Sequence, residues 1–226
     1  MLRVSDLSVS SDRYPVIESV SFEVKRATTL AIVGPNGAGK TTLFRALLNL
    51  VPYSGKIEWG SKVRIGYVPQ NLFVADIPIS VREFLTFKCK TDFKDCLASA
   101  GLETEVLEKP LSVLSGGEMQ RVLVGWAIVD KPNVLLFDEP TANVDIGSEE
   151  LIYETLNRIE KELGMTILLI SHNIYVVRTY TDNVLALNKN LIYYGESRNL
   201  SDPNLLMKIY GSETILTEHR HQQRSR

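Results

Sequence analysis

The feature that most constrains this chain is the loop at 34–42, which reads Gly-Pro-Asn-Gly-Ala-Gly-Lys-Thr-Thr. An apolar run at 30–33 precedes the loop, and apolar residues at helical spacing follow it. A strand, a glycine-rich loop of this pattern and a helix, in that order, form a phosphate-binding unit. The sequence therefore predicts an α/β fold in which this loop binds a nucleoside triphosphate.

The residue types in the loop explain how it would hold phosphates. Its glycines let successive backbone N–H groups point at one anion, and the helix that follows adds partial positive charge. Lys40 can reach the β- and γ-phosphates, and the Thr41 hydroxyl can bind Mg²⁺. The expected nucleotide contacts are Gly34, Pro35, Asn36, Gly37, Ala38, Gly39, Lys40, Thr41 and Thr42.

The composition is that of an ordinary globular domain. The chain has 226 residues, 44% of them hydrophobic, and its formal net charge of −2 disfavours nucleic acid as a partner. Two cysteines are too few for a disulfide framework, which favours reduced thiols in the cytosol. We expect neither a secretory signal nor a membrane span. The expected organisation is one domain at 1–216 and a polar, disordered tail at 217–226.

Two adjacent acids follow a buried strand predicted at 134–137. Open α/β sheets bind ligands beyond the carboxyl ends of their strands, and there the sequence places Asp138 and Glu139. Asp138 can hold Mg²⁺ directly or through water. Glu139 can polarise a water molecule that attacks the terminal phosphate. The alternative, a merely acidic turn, is weakened by the phosphate loop in the same chain.

The segment Leu114-Ser115-Gly116-Gly117-Glu118 has the pattern of a helix start that approaches an anion. Ser115 and Glu118 have the spacing of a capping box. Two glycines between them would be unfavourable if the segment only started a helix. Backbone N–H groups at this N-terminus can form a second phosphate-binding site. Because the segment follows Lys40 by more than seventy residues, with a helical insert between them, we do not expect both to contact the same phosphates within one chain.

With these motifs, the chain resembles the ATP-binding subunit of an ABC transporter over essentially its whole length. The resemblance implies a P-loop fold of the ABC type, with a mixed-sheet core, an antiparallel β subdomain, and a small helical subdomain at about 71–130 that carries LSGG. It also implies a head-to-tail homodimer, in which each ATP lies between the phosphate loop of one subunit and the LSGG helix of the other.

The same resemblance implies roles for further residues. Gln70 matches the Q-loop glutamine near Mg²⁺ and the attacking water, Asp145 matches the D-loop aspartate, and His172 matches the switch histidine at the γ-phosphate. The implied catalytic residues are Glu139, His172 and Gln70. The implied Mg²⁺ ligands are Thr41, Gln70 and Asp138. The implied nucleotide contacts outside the phosphate loop are Tyr14, Ser115, Gly116, Gly117 and Asp145.

Four positions depart from the pattern of the family. The aromatic residue that usually stacks on adenine aligns with Ser11, so either a shifted loop brings Tyr14 over the base or Tyr14 is an ordinary loop residue. Glu118 replaces the more usual Gln, and Gly125-Trp126 replaces Ala-Arg. Asn173 follows the switch histidine in place of Asp. None of these changes removes a phosphate or Mg²⁺ ligand.

The segments 62–70 and 116–123 resemble the zinc and manganese branch of the importer ATPases. This resemblance implies an ATP hydrolase, with ATP and Mg²⁺, that powers a metal ion importer from the cytoplasmic face of the membrane. The implied partners are integral-membrane permease subunits, a second ATPase subunit and, indirectly, an extracytoplasmic solute-binding protein. Two alternatives remain: an ABC transporter for another substrate, and an ABC ATPase that acts outside transport.

Two further segments carry open alternatives. His219 and His221 in the tail either sense metal or are simply solvated. The segment 71–86 either lines a groove for a permease helix or folds into the core. It includes a set of apolar residues expected to be exposed: Leu72, Phe73, Val74, Ile77 and Ile79.

Overall fold

The computed structural model describes residues 1–12, 14–70, 78–88, 93–139 and 146–211. The strands in these ranges are β1 (Leu2–Ser11), β2 (Tyr14–Val24), β3 (Thr29–Val33), β4 (Ser54–Trp59), β5 (Ile65–Val68), β6 (Val134–Asp138), β7 (Thr166–Ile170), β8 (Asn183–Asn188) and β9 (Asn190–Glu196). The helices are α1 (Lys40–Leu47), α2 (Val81–Thr86), α3 (Lys94–Ser99), α4 (Gly116–Ile128), α5 (Ile146–Leu163), α6 (Ile174–Tyr180) and α7 (Pro203–Tyr210).

The chain divides into two compact units. One comprises 1–24, 30–59 and 170–226, and the other comprises 25–29 and 60–169. The first unit contains an antiparallel sheet in the order β2-β1-β4. It also contains a parallel pair, β3 with β8, and an antiparallel pair, β8 with β9. Every residue of β3 is buried, as its unbroken apolar run predicts for a strand covered on both faces.

Helix α1 ends at Leu47, although apolar residues continue to Leu50. Asn49 adopts a left-handed conformation, with φ 57°, and this conformation stops an α-helix. The Leu50 N–H still donates to the Arg45 carbonyl at 2.8 Å. The indole N–H of Trp59 donates to the Leu47 carbonyl at 3.2 Å, so β4 satisfies one of the terminal acceptors of the helix.

In the second unit, β5 pairs in parallel with β6, with Ile65 opposite Val134 and Val68 opposite Phe137. All five residues of β6 are buried, and so are residues 166–169 of β7, which belong to the same unit. Since parallel neighbours end at the same sheet edge, the residues that follow β5 and β6 meet there. Helices α2, α3 and α4 lie in this unit, within the range in which a helical subdomain is predicted.

The predicted fold class is confirmed, with mixed and antiparallel sheets and flanking helices. The apolar spacing did not predict α6 or α7. Helix α6 has only seven residues. Helix α7 does carry a local signal, an Asp202 cap followed by Pro203 at the first helical position. Within the described ranges, no helix is long and apolar enough to cross a membrane.

Candidate nucleotide-binding site

The phosphate loop lies between β3 and α1, with its backbone held close to two neighbouring segments. A Cβ at Gly34, where φ is 145°, would clash with the Leu187 carbonyl oxygen of β8. A Cβ at Gly39, where φ is 99°, would lie 2.9 Å from the Val16 carbonyl oxygen of β2. Only glycine fits at these two positions, because the space is filled and the φ values are positive.

Lys40 is the first residue of α1, and its side chain turns back over the loop. The residue is 6% exposed, and Nζ donates to the carbonyl oxygens of Gly34 at 2.9 Å and Pro35 at 3.0 Å. The ammonium group is therefore placed beside the backbone that would bind phosphate. A charged donor in this position strengthens anion binding.

The start of α1 is arranged for an anion. Gly39, which has no side chain, occupies the N-cap position, and the first turn contains no acidic residue. At the start of an α-helix the backbone N–H groups and the helix dipole together favour a phosphate group. The loop itself is anchored, because the Lys189 N–H donates to the Ala38 carbonyl at 3.0 Å.

Gln70 and Glu139 meet at the edge of the sheet where β5 and β6 end. The Gln70 side-chain amide donates to a carboxylate oxygen of Glu139. Asp138, the last residue of β6, is 1% exposed. Glu139 has a left-handed backbone, with φ 51°. Such a conformation is disfavoured in non-glycine residues and tends to occur at functional sites. The structure therefore brings the predicted general base and the Q-loop glutamine together.

His172 lies in the turn between β7 and α6, in the first unit. Its side chain is exposed, whereas Ser171 before it is 3% exposed. The Ser171 N–H donates to the Ile32 carbonyl at 3.3 Å, which ties the turn to β3, the strand that leads into the phosphate loop. The histidine is thus presented on a backbone fixed to the same strand as the loop.

The start of α4 forms the predicted capping box. The Ser115 hydroxyl accepts a bond from the Glu118 N–H at 3.2 Å, and the Glu118 carboxylate accepts one from the Ser115 N–H at 3.0 Å. The Ser115 N–H, followed by the Lys109 ammonium at 2.9 Å, lowers the pKa of Glu118 to about 2. Ser115 and Gly116 are exposed, so this helix start faces outward.

The predicted nucleotide contacts fall into two groups. The phosphate loop, Tyr14 and His172 lie in the first unit, and Gln70, the two acids and the Ser115 segment lie in the second. Tyr14 is 78% exposed at the start of β2, the strand whose Val16 carbonyl lies against the loop. Asp145, the apolar segment at 71–77, Cys89 and the histidine-bearing tail lie outside the described residues.

The residues available for Mg²⁺ fit that ion in chemistry, since the Asp138 carboxylate, the Thr41 hydroxyl and the Gln70 amide are all oxygen donors. In the parts of the chain that the structure describes, no cluster of three His, Cys, Asp or Glu side chains could hold a metal unaided. Mg²⁺ in nucleotide sites is usually bound by one or two side chains together with phosphate oxygens. The ion would therefore be held jointly with a bound nucleotide.

The apolar spacing of the sequence did not predict the hydrogen bonds on either side of His172. The Asn173 N–H donates to the Ser171 hydroxyl at 3.1 Å, and the Asn173 side-chain oxygen accepts from the Val176 N–H at 3.2 Å. The sequence did carry a signal for this helix cap, since Asn is among the preferred N-cap residues and Asn173 stands at the start of a short apolar helical pattern.

Comparisons with known proteins agree with this geometry. The model of the ABC transporter family matches residues 17–142. The zinc import ATP-binding protein ZnuC of Wigglesworthia glossinidia brevipalpis is 31% identical, over 98% of this chain and 99% of its own. The ZnuC of Histophilus somni is 35% identical, over 94% of this chain and 82% of its own. The structure of cbiO1 from Clostridium perfringens, part of the ABC transporter complex cbiONQ, superposes with a TM-score of 0.80 and 28% identity over 92% of each chain.

Proposed function

Because the chain belongs to the ABC transporter family, we propose that it binds and hydrolyses ATP to power a membrane transporter for a metal ion, zinc or manganese. The observation that carries the ATPase assignment is the phosphate loop, in which Lys40 donates to the loop carbonyls beside an open helix start. The metal assignment is supported by relatives, matched over 82–99% of their own length, whose names specify zinc import.

In the proposed mechanism, the loop N–H groups and Lys40 bind the β- and γ-phosphates. Thr41, Asp138 and Gln70 hold Mg²⁺, which supplies charge neutralisation on the phosphate oxygens when bound. The buried position of Asp138 at the end of β6 favours this role, because a carboxylate excluded from water interacts strongly with a cation. Asp145 contributes a further nucleotide contact.

Hydrolysis requires a base, and Glu139 is the proposed one. Its carboxylate accepts the proton of the attacking water, and its hydrogen bond from Gln70 fixes the orientation of that carboxylate. His172 donates to the γ-phosphate, which holds the phosphate in line with the water. These assignments divide the chemistry between proton transfer at Glu139 and positioning at Gln70 and His172.

The second half of each site would come from another copy of the chain. Ser115 and Gly116 are exposed at the start of α4, and the nearby Val113 is 64% exposed. An exposed helix N-terminus next to an apolar side chain suits contact with a phosphate held by a partner. We propose a head-to-tail dimer that attaches to integral-membrane permease subunits at the cytoplasmic face, with an extracytoplasmic binding protein as an indirect partner.

The experiment that tests the transport assignment is metal uptake in cells that lack the chain and its relatives. Reintroducing the chain with its permease should restore uptake of zinc or manganese, and the Glu139→Gln variant should not restore it. Restored uptake of neither metal, with ATP hydrolysis intact in the purified chain, would favour an ABC transporter for another substrate.

A further inference from the structure

We propose that Ser171 and Asn173 are positioning residues that hold His172 in the geometry its phosphate contact requires. This inference rests on the proposed function, since it takes His172 as the group that donates to the γ-phosphate. Neither residue needs to touch the nucleotide. Their effect would be exerted through the backbone on either side of the histidine.

Backbone hydrogen bonds fix the residue before His172. The Ser171 N–H donates to the Ile32 carbonyl at 3.3 Å, although β7 itself ends at Ile170. Ile32 is also buried and lies in β3, two positions before the phosphate loop begins. The chain entering the turn is therefore tied to the strand that leads into the loop.

Side-chain hydrogen bonds fix the residue after His172. The Asn173 N–H donates to the Ser171 hydroxyl at 3.1 Å, which closes the turn around the histidine. The Asn173 side-chain oxygen accepts the Val176 N–H at 3.2 Å and starts α6. One exposed residue, His172, thus stands between two residues whose backbones are both held in place.

Buried residues of α6 and hydrogen bonds at its C-terminal end hold the helix in place. Ile174, Val176 and Val177 are buried. At the end of the helix, the Thr181 hydroxyl donates to the Val177 carbonyl at 2.7 Å and lies 2.7 Å from the Ser197 hydroxyl. Because these contacts hold the body and the end of α6, we expect loss of the Asn173 cap to be taken up in the turn and to move the His172 backbone. A displacement of about 1 Å in a positioning group can lower a rate by about 10²-fold.

The matched control is the cap of α7. Asp202 accepts the Asn204 N–H at 2.9 Å, in the same structural role as Asn173 but away from the histidine turn. Replacing either cap by alanine removes one side-chain bond to a helix start, so both variants should melt at a lower temperature. Only the Asn173 variant should also hydrolyse ATP more slowly.

The experiment compares Asn173→Ala, Asn173→Ser and Asp202→Ala in the full chain, measuring kcat, ATP affinity and melting temperature. We expect Asn173→Ala to lower kcat by about tenfold to a hundredfold with ATP affinity nearly unchanged. Asn173→Ser, which keeps an acceptor oxygen, should recover most of the rate, and Asp202→Ala should retain it. Wild-type kcat in Asn173→Ala, with the same loss of melting temperature as Asp202→Ala, would overturn the proposal.

A double variant identifies the residue through which Asn173 acts. In a His172→Ala background, adding Asn173→Ala should lower kcat no further. If it lowers kcat there by as much as it does in the parent protein, the proposal is overturned. If Asn173→Ala does not fold, Ser171→Ala tests the same turn without touching the helix cap, and wild-type kcat in that variant would count against the inference. Wild-type kcat in His172→Ala would instead refute the role of the histidine itself, whereas ATP binding through Lys40 would be unaffected.

Discussion

The side-chain amide of Gln70 donates a hydrogen bond to the carboxylate of Glu139. The two residues follow neighbouring parallel strands, with Val68 of β5 opposite Phe137 of β6. This hydrogen bond joins Gln70, which is proposed to bind Mg²⁺, to Glu139, which is proposed to take a proton from water. A change at either residue should therefore affect hydrolysis more than nucleotide binding.

Glu139→Gln should slow ATP hydrolysis by about 10²–10⁴-fold while ATP still binds. The substitution removes the general base but keeps a side chain of nearly the same size. The trapped ATP should then hold two subunits together, which size-exclusion chromatography with ATP would detect. Glu162→Gln, at an exposed position in α5, serves as the control and should retain activity. Normal hydrolysis by Glu139→Gln would move the base to another residue.

Lys40→Ala should lower ATP affinity by about one to two orders of magnitude, since a hydrogen bond from a charged group contributes roughly 1.5–3 kcal/mol. Calorimetric titration with ATP measures this change. Lys208→Ala, in the last turn of α7, removes a charge of the same sign elsewhere in the first unit and should bind normally. A folded Lys40→Ala protein with unchanged affinity would refute the phosphate-loop assignment.

Ser115→Arg should abolish hydrolysis while each subunit still binds ATP, because the added bulk and charge block the helix start intended for the nucleotide of the partner. Mixing this variant with Lys40→Ala tests the arrangement of the dimer. In a head-to-tail dimer, the mixed pair has one intact site and one doubly damaged site, so activity should partly return. No recovery at any ratio would mean that the dimer is arranged differently or that both sites must act together.

Stability should fall in acid through Glu118. Its folded-state pKa of about 2 lies below the ordinary value of 4.5, because the Ser115 N–H and the Lys109 ammonium stabilise the carboxylate. The stabilisation is complete above pH 4.5 and is lost as the pH falls toward 2. Glu118→Gln keeps an acceptor for the Ser115 N–H but loses the charge. At pH 7 the free energy of unfolding of this variant should be about 1 kcal/mol lower than that of the parent. This difference should shrink as the pH falls.

Chemical denaturation of both proteins between pH 7 and pH 3 checks the role of Glu118. The parent and the Glu118→Gln variant share all their other acidic groups. The contributions of these groups therefore cancel in the difference between the two free energies of unfolding. A difference that stays constant over this range would mean that the Glu118 carboxylate is not stabilised by the fold.

Tyr14→Ala should weaken ATP binding by about 1–3 kcal/mol if the ring stacks on the base, and Tyr14→Phe should bind like the parent. The side chain is 78% exposed, so its removal should leave melting temperature nearly unchanged. Fluorescence titration with ATP separates the two alternatives for Tyr14. Equal affinity in Tyr14→Ala would make it an ordinary loop residue.

The sequence alone determined the features that depend on neighbours along the chain. The phosphate loop follows from glycines, a lysine and a threonine at fixed spacing between a strand and a helix. The acids at 138 and 139 follow a strand whose apolar run is continuous. The capping box at Ser115 follows from residues three apart. In each case the interacting groups lie within a few residues, so local geometry brings them together.

Only the tertiary structure decided the contacts between distant segments. Gln70 meets Glu139 because β5 and β6 pair in parallel, although 69 positions separate the two residues. Gly34 must be glycine because the Leu187 carbonyl of β8 fills the space beside it. The turn around His172 is fixed by Ile32 of β3. Spacing along the chain could not predict these contacts, because strand order and register depend on burying apolar faces across the whole fold.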